Sequence, residues 1–408
     1  MKFNFLELDN GIRIIHKPTK NEVAHCGFII DTGSRDEDIA TNGITHFIEH
    51  AIFKGTKKRK AFHILNRIDN VGGEINAFTT KENTSIYASF TKMYFERALE
   101  LLTDILFNST YPEYEINKEK DVIIDEIFSY QDSPYEQIYD DFEEIIFKEH
   151  PLGMNILGTV EGVKKINRTK ILDFIKTQYL TSQIVFSVVG DIPFKKIEKL
   201  AKKYLNDIPQ KNTTTQRYPF NNYQPTQKEI TKDISQTHCM IGNVAYPAFD
   251  KNKNGLILLN NILGGPAMNS RLNLGIREKY GFTYNIESSY NVFSDIGLFY
   301  IYLSTDQKNI AKSIALVNRE LKILRDKKIS SSQLQKAKQQ IIGQIALSEE
   351  NNCNVMLEMG KSLIVYNKVD GLKETYEKIN AITENQLLGI ANEIFDENKL
   401  SSLTYLPK

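Results

Sequence analysis

The chain has 408 residues, enough for two or three domains at roughly 150 residues each, and 41% of its residues are hydrophobic. Fifty-one Lys and Arg residues balance 51 Asp and Glu residues, so the net charge of zero excludes the overall basic excess typical of nucleic-acid-binding proteins. The first 20 residues lack the apolar core of a signal peptide, and no uncharged apolar run reaches about 18 residues. We therefore expect a cytoplasmic protein with no membrane span and no nucleic-acid partner.

The first half of the chain mixes strand and helix patterns. Alternation and turn signals predict strands at 3–8, 12–16, 74–78 and 84–90, and apolar runs predict strands at 26–31 and 184–189. Helical periodicity predicts helices at 43–53, 62–70, 93–107, 113–130, 135–147 and 194–205. Residues 209–226 lose this periodicity and collect Pro, Asn, Thr and Gln, which is typical of a linker between domains.

The second half repeats the plan of the first. Strands are predicted at 229–234, 239–246, 284–292, 297–304 and 400–405, and helices at 256–263, 309–326 and 331–351. Segments 165–172 and 381–388 both begin a helix that leads into a late strand. The repeat predicts an α+β protein with two homologous domains, 1–208 and 227–408, each with a sheet packed against helices.

The sequence GITHFIEHAIFKGT at 43–56 contains the chemically most informative pattern. On a helix, His46, Glu49 and His50 share one face, and the apolar residues around them predict that the helix is buried. Two neutral imidazoles four residues apart can both bind one Zn²⁺, which explains why such polar groups would be buried. This H-x-x-E-H order is the reverse of the zincin motif. The alternative is a pair of hydrogen-bonded core histidines with a buried ion pair.

A catalytic zinc site requires a third protein ligand and an open coordination position. The predicted helix at 113–130 offers candidates, because Glu119 and Glu126 interrupt an otherwise apolar stripe formed by Ile116, Ile123 and Ile127. The alternative interpretation is a surface helix with solvent-exposed acids, since Glu is usually exposed. Spacing alone leaves both interpretations open.

Several segments together resemble the pitrilysin family of zinc metallopeptidases, which includes the mitochondrial processing peptidase. The first is HFIEHAIFKGT at 46–56, and in that family the third ligand is a Glu 76 residues after the second His, which here is Glu126. A second family acid lies seven residues earlier, at Glu119. Further similar segments are GGEINAFT at 72–79, HPLG at 150–153, GT at 158–159, VGD at 189–191, SRL at 270–272 and REKYGFTY at 277–284.

The resemblance implies a catalytic metal centre with one Zn²⁺ per chain. His46, His50 and Glu126 are the implied ligands, and Glu49 is the implied general base that takes a proton from water and delivers it to the leaving amine. Glu119 is interpreted as an acid behind the ligands that tunes them or the water. The alternative for Glu119 is an ordinary carboxylate on a helix face.

The resemblance also implies how a peptide is bound. Arg277 and Tyr284 match the family's second signature, in which an Arg and a Tyr seven residues apart orient the peptide and stabilise the oxyanion. The predicted strand 74–78, near Asn76 and Ala77, is expected to bind an extended peptide as an added strand, a mode that is largely blind to sequence. Unfolded peptides are therefore the expected substrates.

In the family, two chains or halves of this size enclose a chamber, so the resemblance implies a dimer. The partner is either a second copy of the chain or an inactive relative, and the presence of both signatures favours a homodimer. The sequence thus predicts a zinc metalloendopeptidase, with a non-catalytic scaffold or partner subunit of the same family as the alternative. The other five histidines and the three cysteines show no ligand spacing, and no P-loop or G-x-G-x-x-G indicates a nucleotide.

Overall fold

A computed structural model describes residues 3–211 and 217–408, and within this part the chain forms two compact units. The first unit comprises Met1–Phe128, Met154–Arg217 and Leu347–Val369, and the second comprises Ser129–Gly153, Tyr218–Ala346 and Asp370–Lys408. The predicted boundaries, 1–208 and 227–408, differ from these units, because each unit contains one segment from the other half of the sequence. Residues 212–216 of the predicted linker 209–226 lie outside the described residues.

The described residues form eleven strands, mostly at the positions that the sequence predicted. They are β1 (Asn4–Glu7), β2 (Arg13–Pro18), β3 (Val23–Ile30), β4 (Glu74–Thr79), β5 (Thr84–Thr91), β6 (Ile184–Gly190), β7 (Gln227–Lys232), β8 (Thr237–Ala245), β9 (Thr283–Val292), β10 (Gly297–Thr305) and β11 (Ser401–Pro407).

Fourteen α-helices accompany them in the described ranges. They are α1 (Ile44–Ala51), α2 (Ala61–Asp69), α3 (Phe95–Asn108), α4 (Glu113–Gln131), α5 (Pro134–Ile146), α6 (Val160–Lys165), α7 (Arg168–Gln178), α8 (Phe194–Leu205), α9 (Lys253–Gly264), α10 (Ile310–Asp326), α11 (Ser331–Ser348), α12 (Asn352–Tyr366), α13 (Leu372–Asn380) and α14 (Glu384–Ile394).

The two sheets share one topology, which confirms the predicted α+β duplication. The first sheet has the order β1-β2-β6-β3-β5-β4 and the second has the order β7-β11-β8-β10-β9. In each sheet one late strand, β6 or β11, pairs parallel with one neighbour and antiparallel with the other. Apart from the extra strand β1, the five-stranded order of one sheet repeats in the other. Strands β4 and β9 therefore occupy equivalent edges of their sheets.

The sheet of the first unit is covered on both faces. Alternate residues of β6 contribute to two separate cores: Ile184, Phe186 and Val188 pack with α1, α3 and α4, whereas Val185 and Val189 pack with α12. Because both faces are buried, all seven residues of β6 are buried. This two-sided burial explains why β6 reads in the sequence as a continuous apolar run rather than an alternating strand.

The second unit is built in the same way, with α5 on one face of its sheet. Ile138, Phe142 and Ile146 of α5 pack against apolar side chains of β8, β10 and β11. Thus α5, from the first half of the sequence, belongs to the second unit, and α12, from the second half, belongs to the first.

Two features of the second half differ from the prediction. The predicted helix 331–351 ends at Ser348, and the helices α12 and α13 that follow it were not predicted. Residues Asn273–Glu278 adopt a π-helical conformation, a geometry that often occurs at functional sites. Among the described residues, no helix has the length and apolar character needed to span a membrane.

Candidate metal centre

The helix α1 presents two histidines one turn apart inside the first unit. Its amino terminus begins at Gly43, whose φ of 89° lies in the left-handed region that favours glycine. Ile44, Phe47 and Ile48 are fully buried in the core. They fix the helix so that the rings of His46 and His50 lie with their centroids 4.6 Å apart.

The helix α4 supplies the third donor. Ile116, Ile123 and Ile127 bury one stripe of this helix in the same core, and Glu126 projects from that side towards the histidines. Its Oε2 lies 3.8 Å from Nε2 of His46 and 3.4 Å from Nε2 of His50. The structure therefore brings together the three residues that the sequence predicted as metal ligands. Across the described part of the chain they are the one set of three such donors, all within 4.8 Å of one another.

The geometry of this set fits a tetrahedral zinc ion. Two ligands that are each 2.0–2.1 Å from a tetrahedral zinc lie about 3.3–3.4 Å apart, close to the separations between Glu126 and the two imidazoles. Burial and the neighbouring His50 charge lower the pKa of His46 to about 3, so this imidazole is neutral, as a metal ligand must be. Nδ1 of His46 is buried and has no hydrogen-bond partner among the described residues.

Glu49 lies on the same helix, beside the donor set. Burial raises the pKa of its carboxyl group, although the nearby Thr79 and the His50 charge favour the ionised form. Its Oε2 is buried and has no hydrogen-bond partner among the described residues, which leaves an acceptor available for a proton. Thr79 is the last residue of β4, so Glu49 is placed next to the end of an edge strand.

Glu119 lies behind the histidines rather than among the ligands. Its Oε1 is 3.1 Å from Nδ1 of His50, and its Oε2 is 2.7 Å from the ammonium group of Lys54. Burial alone would raise the pKa of Glu119, but the hydrogen bonds to His50 and Lys54 lower it. A carboxylate at Nδ1 favours the imidazole tautomer whose Nε2 is free to bind a metal. Lys54, four residues after the motif, was not predicted as a functional residue from the sequence.

The two residues expected at the peptide-binding strand lie in β4. This strand forms the edge of its sheet and pairs with β5 on one side. The side chain of Ala77 is buried in the core, so its backbone alone is available at the edge. The N–H of Ala77 donates a hydrogen bond of 2.8 Å to Oδ1 of Asn76.

The structure places Arg277 and Tyr284 in the second unit. Arg277 is exposed within the π-helical segment, and its Nη1 donates to Oδ1 of Asn273 at 3.4 Å. Tyr284, near the start of β9, is 61% exposed. Both side chains are accessible to solvent, and their role towards a peptide stays a prediction.

Two homologous α+β units, one of which carries an H-x-x-E-H helix and a converging glutamate, define the class of inverted-motif zinc metallopeptidases. Residues 13–160 match the family described as Insulinase (Peptidase family M16), and residues 165–341 match the Peptidase M16 inactive domain. The chain is 34% identical over 394 residues to an uncharacterised zinc protease of Bacillus subtilis, with 95% of each protein covered. It is 29% identical over 404 residues to the mitochondrial-processing peptidase subunit beta of Saccharomyces cerevisiae, with 95% of this chain and 87% of that protein covered.

Solved structures share the fold. A protease from Helicobacter pylori superimposes with a TM-score of 0.92 at 21% identity, covering 100% of this chain and 99% of that one. A peptidase M16 inactive domain from Pseudomonas fluorescens gives a TM-score of 0.92 at 18% identity, with the same coverage of both chains. The chain belongs to peptidase family M16, the pitrilysin or insulinase family.

Proposed function

We propose that this protein is a zinc-dependent endopeptidase that hydrolyses unfolded peptides. The observation that carries the proposal is the convergence of His46, His50 and Glu126 within 4.8 Å, with the unpartnered carboxylate oxygen of Glu49 beside them. Relatives called zinc proteases support the same assignment. The cytoplasmic location expected from the sequence stays a prediction.

Each residue of the candidate site has its own role in the proposed hydrolysis of a peptide. A zinc ion bound by the three donors would polarise the scissile carbonyl and lower the pKa of water. Glu49 accepts the proton of the attacking water at its carboxylate and delivers it to the leaving amine. Glu119 fixes the ring of His50 through Nδ1, so that Nε2 keeps its direction.

The edge of β4 is the proposed binding site for the substrate backbone. An extended peptide that pairs with β4 uses main-chain hydrogen bonds, which are available to any unfolded sequence. The carboxamide oxygen of Asn76 now accepts from the N–H of Ala77, and a substrate carbonyl would take its place. Because β4 ends at Thr79, next to Glu49, a peptide on this strand would run towards the proposed general base.

We also propose roles for two further residues, Arg277 and Tyr284, and for a partner chain. In the proposed enzyme, Arg277 and Tyr284 orient the peptide and stabilise the oxyanion, and their exposure leaves them accessible for this purpose. A chain of this length supplies half of an enclosing chamber, so the working form would be a dimer. We favour a homodimer over a dimer with an inactive homologue, because both signatures are present in this chain.

The alternative function is a non-catalytic scaffold or partner subunit. It is favoured by the match of residues 165–341 to a domain described as inactive. However, the three donor residues and Glu49 lie outside that range, in the segment that matches the peptidase family itself. A scaffold has no chemical reason to bind one zinc per chain, so a metal assay separates the two functions.

The deciding experiment compares the zinc-loaded protein with its Glu49→Gln variant on a pool of unfolded peptides. We expect cleavage by the wild type and none by the variant, with zinc retained in both, because Gln cannot accept the proton. A Tyr284→Phe variant should bind zinc fully and turn over more slowly. Absence of cleavage by zinc-loaded wild-type protein would support the scaffold or an enzyme that requires a partner chain, and equal cleavage by wild type and Glu49→Gln would reveal a contaminating protease.

A further inference from the structure

A buried carboxylate outside the metal centre is bonded to the helix that carries both histidines. Glu37 is 4% exposed and precedes α1 by seven residues. Its Oε1 accepts from the N–H of Thr45 at 2.7 Å, and its Oε2 accepts from the N–H of Gly43 at 2.7 Å. Oε2 also accepts from Nδ2 of Asn42 at 3.2 Å. Both carboxylate oxygens of Glu37 therefore accept hydrogen bonds, and one of the donors, Thr45, directly precedes His46.

These hydrogen bonds provide acceptors for the first backbone N–H groups of α1. The first N–H groups of a helix have no partner within the helix, and a side chain at the N-cap position usually accepts from one of them. Here the N-cap is Gly43, which has no side chain, and the helix begins inside the core. Glu37 takes over this capping from a distance, and its negative charge also suits the positive end of the helix dipole.

The loop that contains Glu37, residues 33–37, is itself fixed to the turn after β4. The N–H of Ser34 donates to the carbonyl of Thr80 at 3.1 Å, and the N–H of Arg35 donates to the carbonyl of Lys81 at 2.7 Å. At Gly33 a Cβ would lie 2.3 Å from the carbonyl oxygen of Thr80, so the close approach requires glycine. The loop thereby connects α1 to the end of the proposed peptide-binding strand.

Arg217, the last residue of the segment Met154–Arg217 of the first unit, also holds this loop. Arg217 forms a bidentate ion pair with Asp36, with Nε–Oδ1 and Nη2–Oδ2 distances of 2.8 Å and 2.9 Å. Its Nη2 also donates to the carbonyl of Glu82 at 2.8 Å. Planar guanidinium–carboxylate pairs of this kind define position as well as supply attraction. The loop is therefore held at the three residues that directly precede Glu37.

We propose that Glu37 is a positioning residue that aligns the histidine-bearing helix α1 with the β4 strand and so pre-organises the zinc site. Metal sites require their ligands to be held within about 0.5 Å of the productive geometry. Glu37 supplies this precision because its two oxygens fix the first turn of α1 to a loop that is anchored on the turn directly after β4. The inference rests on the proposed metal centre, but it concerns the geometry of the helix and not the hydrolytic reaction.

The test is the zinc affinity of a Glu37→Gln variant, measured by competition with a chelator. Gln has one acceptor and one donor, so it satisfies one of the two backbone amides and opposes the other. Because burial raises the pKa of Glu37 to about 7, the titration is run at pH 8, where the wild-type group is ionised. We expect the zinc Kd to increase at least tenfold, which corresponds to about 1.4 kcal/mol.

The matched control is Asp104→Asn in the same unit. Asp104 is 2% exposed and accepts from Thr56 and Arg59, and none of these bonds involves α1. Its substitution also removes a buried charge, and we expect its zinc Kd to stay within threefold of the wild-type value. An equal loss of affinity in both variants would show general destabilisation and would overturn the positioning role of Glu37.

A second measurement needs no variant and no metal. In the metal-free wild type, the amides of Gly43, Ile44 and Thr45 have partners, two of them on Glu37. Their hydrogen exchange should be at least tenfold slower than that of the first turn of α8, which has no side-chain cap. Equal exchange rates at the two helix starts would overturn the proposal. Zinc binding without peptide cleavage would instead refute the proposed enzymatic function and leave Glu37 in its role.

Discussion

Replacing Lys54 with Met tests how the support behind the zinc ligands works. The ammonium group of Lys54 is 2.7 Å from Oε2 of Glu119, whose side chain is 6% exposed. Glu119 in turn contacts Nδ1 of His50 at 3.1 Å. Met has about the length of Lys and resembles its apolar side-chain stem, so Lys54→Met removes the charge and keeps most of the packing of that stem.

The expected cost follows from the burial of the carboxylate that loses its partner. At an effective dielectric constant of 20, two unit charges 2.7 Å apart attract by about 6 kcal/mol, and desolvation of Glu119 offsets most of this. A hydrogen bond to a charged group contributes about 1.5–3 kcal/mol net, so we expect the free energy of unfolding to fall by about that amount. Because Glu119 also orients His50, the zinc Kd should rise by about tenfold.

The two effects are measured separately, by urea unfolding of the metal-free protein and by chelator competition for zinc. Lys57→Met, at an exposed lysine three residues further on, is the matched control and should leave both quantities unchanged. A loss of about 2 kcal/mol corresponds to a decrease in Tm of about 4–8 °C for a unit of this size. If Lys54→Met retains both wild-type stability and wild-type zinc affinity, the reasoning that links Lys54 to His50 through Glu119 is wrong.

Three further predictions follow from particular contacts. Glu126→Gln should weaken zinc binding by at least tenfold, because a carboxylate ligand is lost; unchanged metal content after dialysis would mean that another residue is the third ligand. Asn76→Ala should lower KM for unfolded peptides and leave kcat unchanged, because it frees a backbone amide at the β4 edge; steady-state kinetics with an unchanged or higher KM would contradict this. His16 accepts from Asn4 at Nδ1 and donates to the Gly190 carbonyl from Nε2, and burial lowers its pKa. The neutral His16 ring therefore contributes stability above its unfolded pKa of about 6.5, and this contribution is lost as the pH falls through its folded pKa. We expect the difference in unfolding free energy between wild type and His16→Gln, measured by urea unfolding, to shrink from pH 7.5 to pH 5.

The duplication shows where pattern-based prediction works and where it stops. Strands such as β1 and β5, and the helices that cover one face of each sheet, follow from local periodicity, because a half-buried element repeats its apolar residues at its own period. Local periodicity could not predict which of the two units contains α5 and which contains α12. Each is amphipathic in the ordinary way, and nothing in its own sequence states which of two similar sheets it covers.

The residues of the candidate site also differ in how far the sequence alone predicts their position. Local spacing placed His46 and His50 on one face of a buried helix with Glu49, since residues three and four apart always meet on a helix. For Glu126, 76 residues later, spacing left two interpretations open, and the resemblance to a family was needed to favour a ligand.

What the sequence determined by itself is the pair of histidines able to bind zinc, with Glu49 on the same helix face, and the two-domain α+β plan, because both depend on short-range periodicity and chemical type. The tertiary structure alone decided which groups support them. It paired Lys54 with Glu119, and it placed Glu37 at the start of α1. Such pairs depend on how helices and loops pack at distances that no local pattern encodes, so the precise support of the metal centre became visible only in the folded chain.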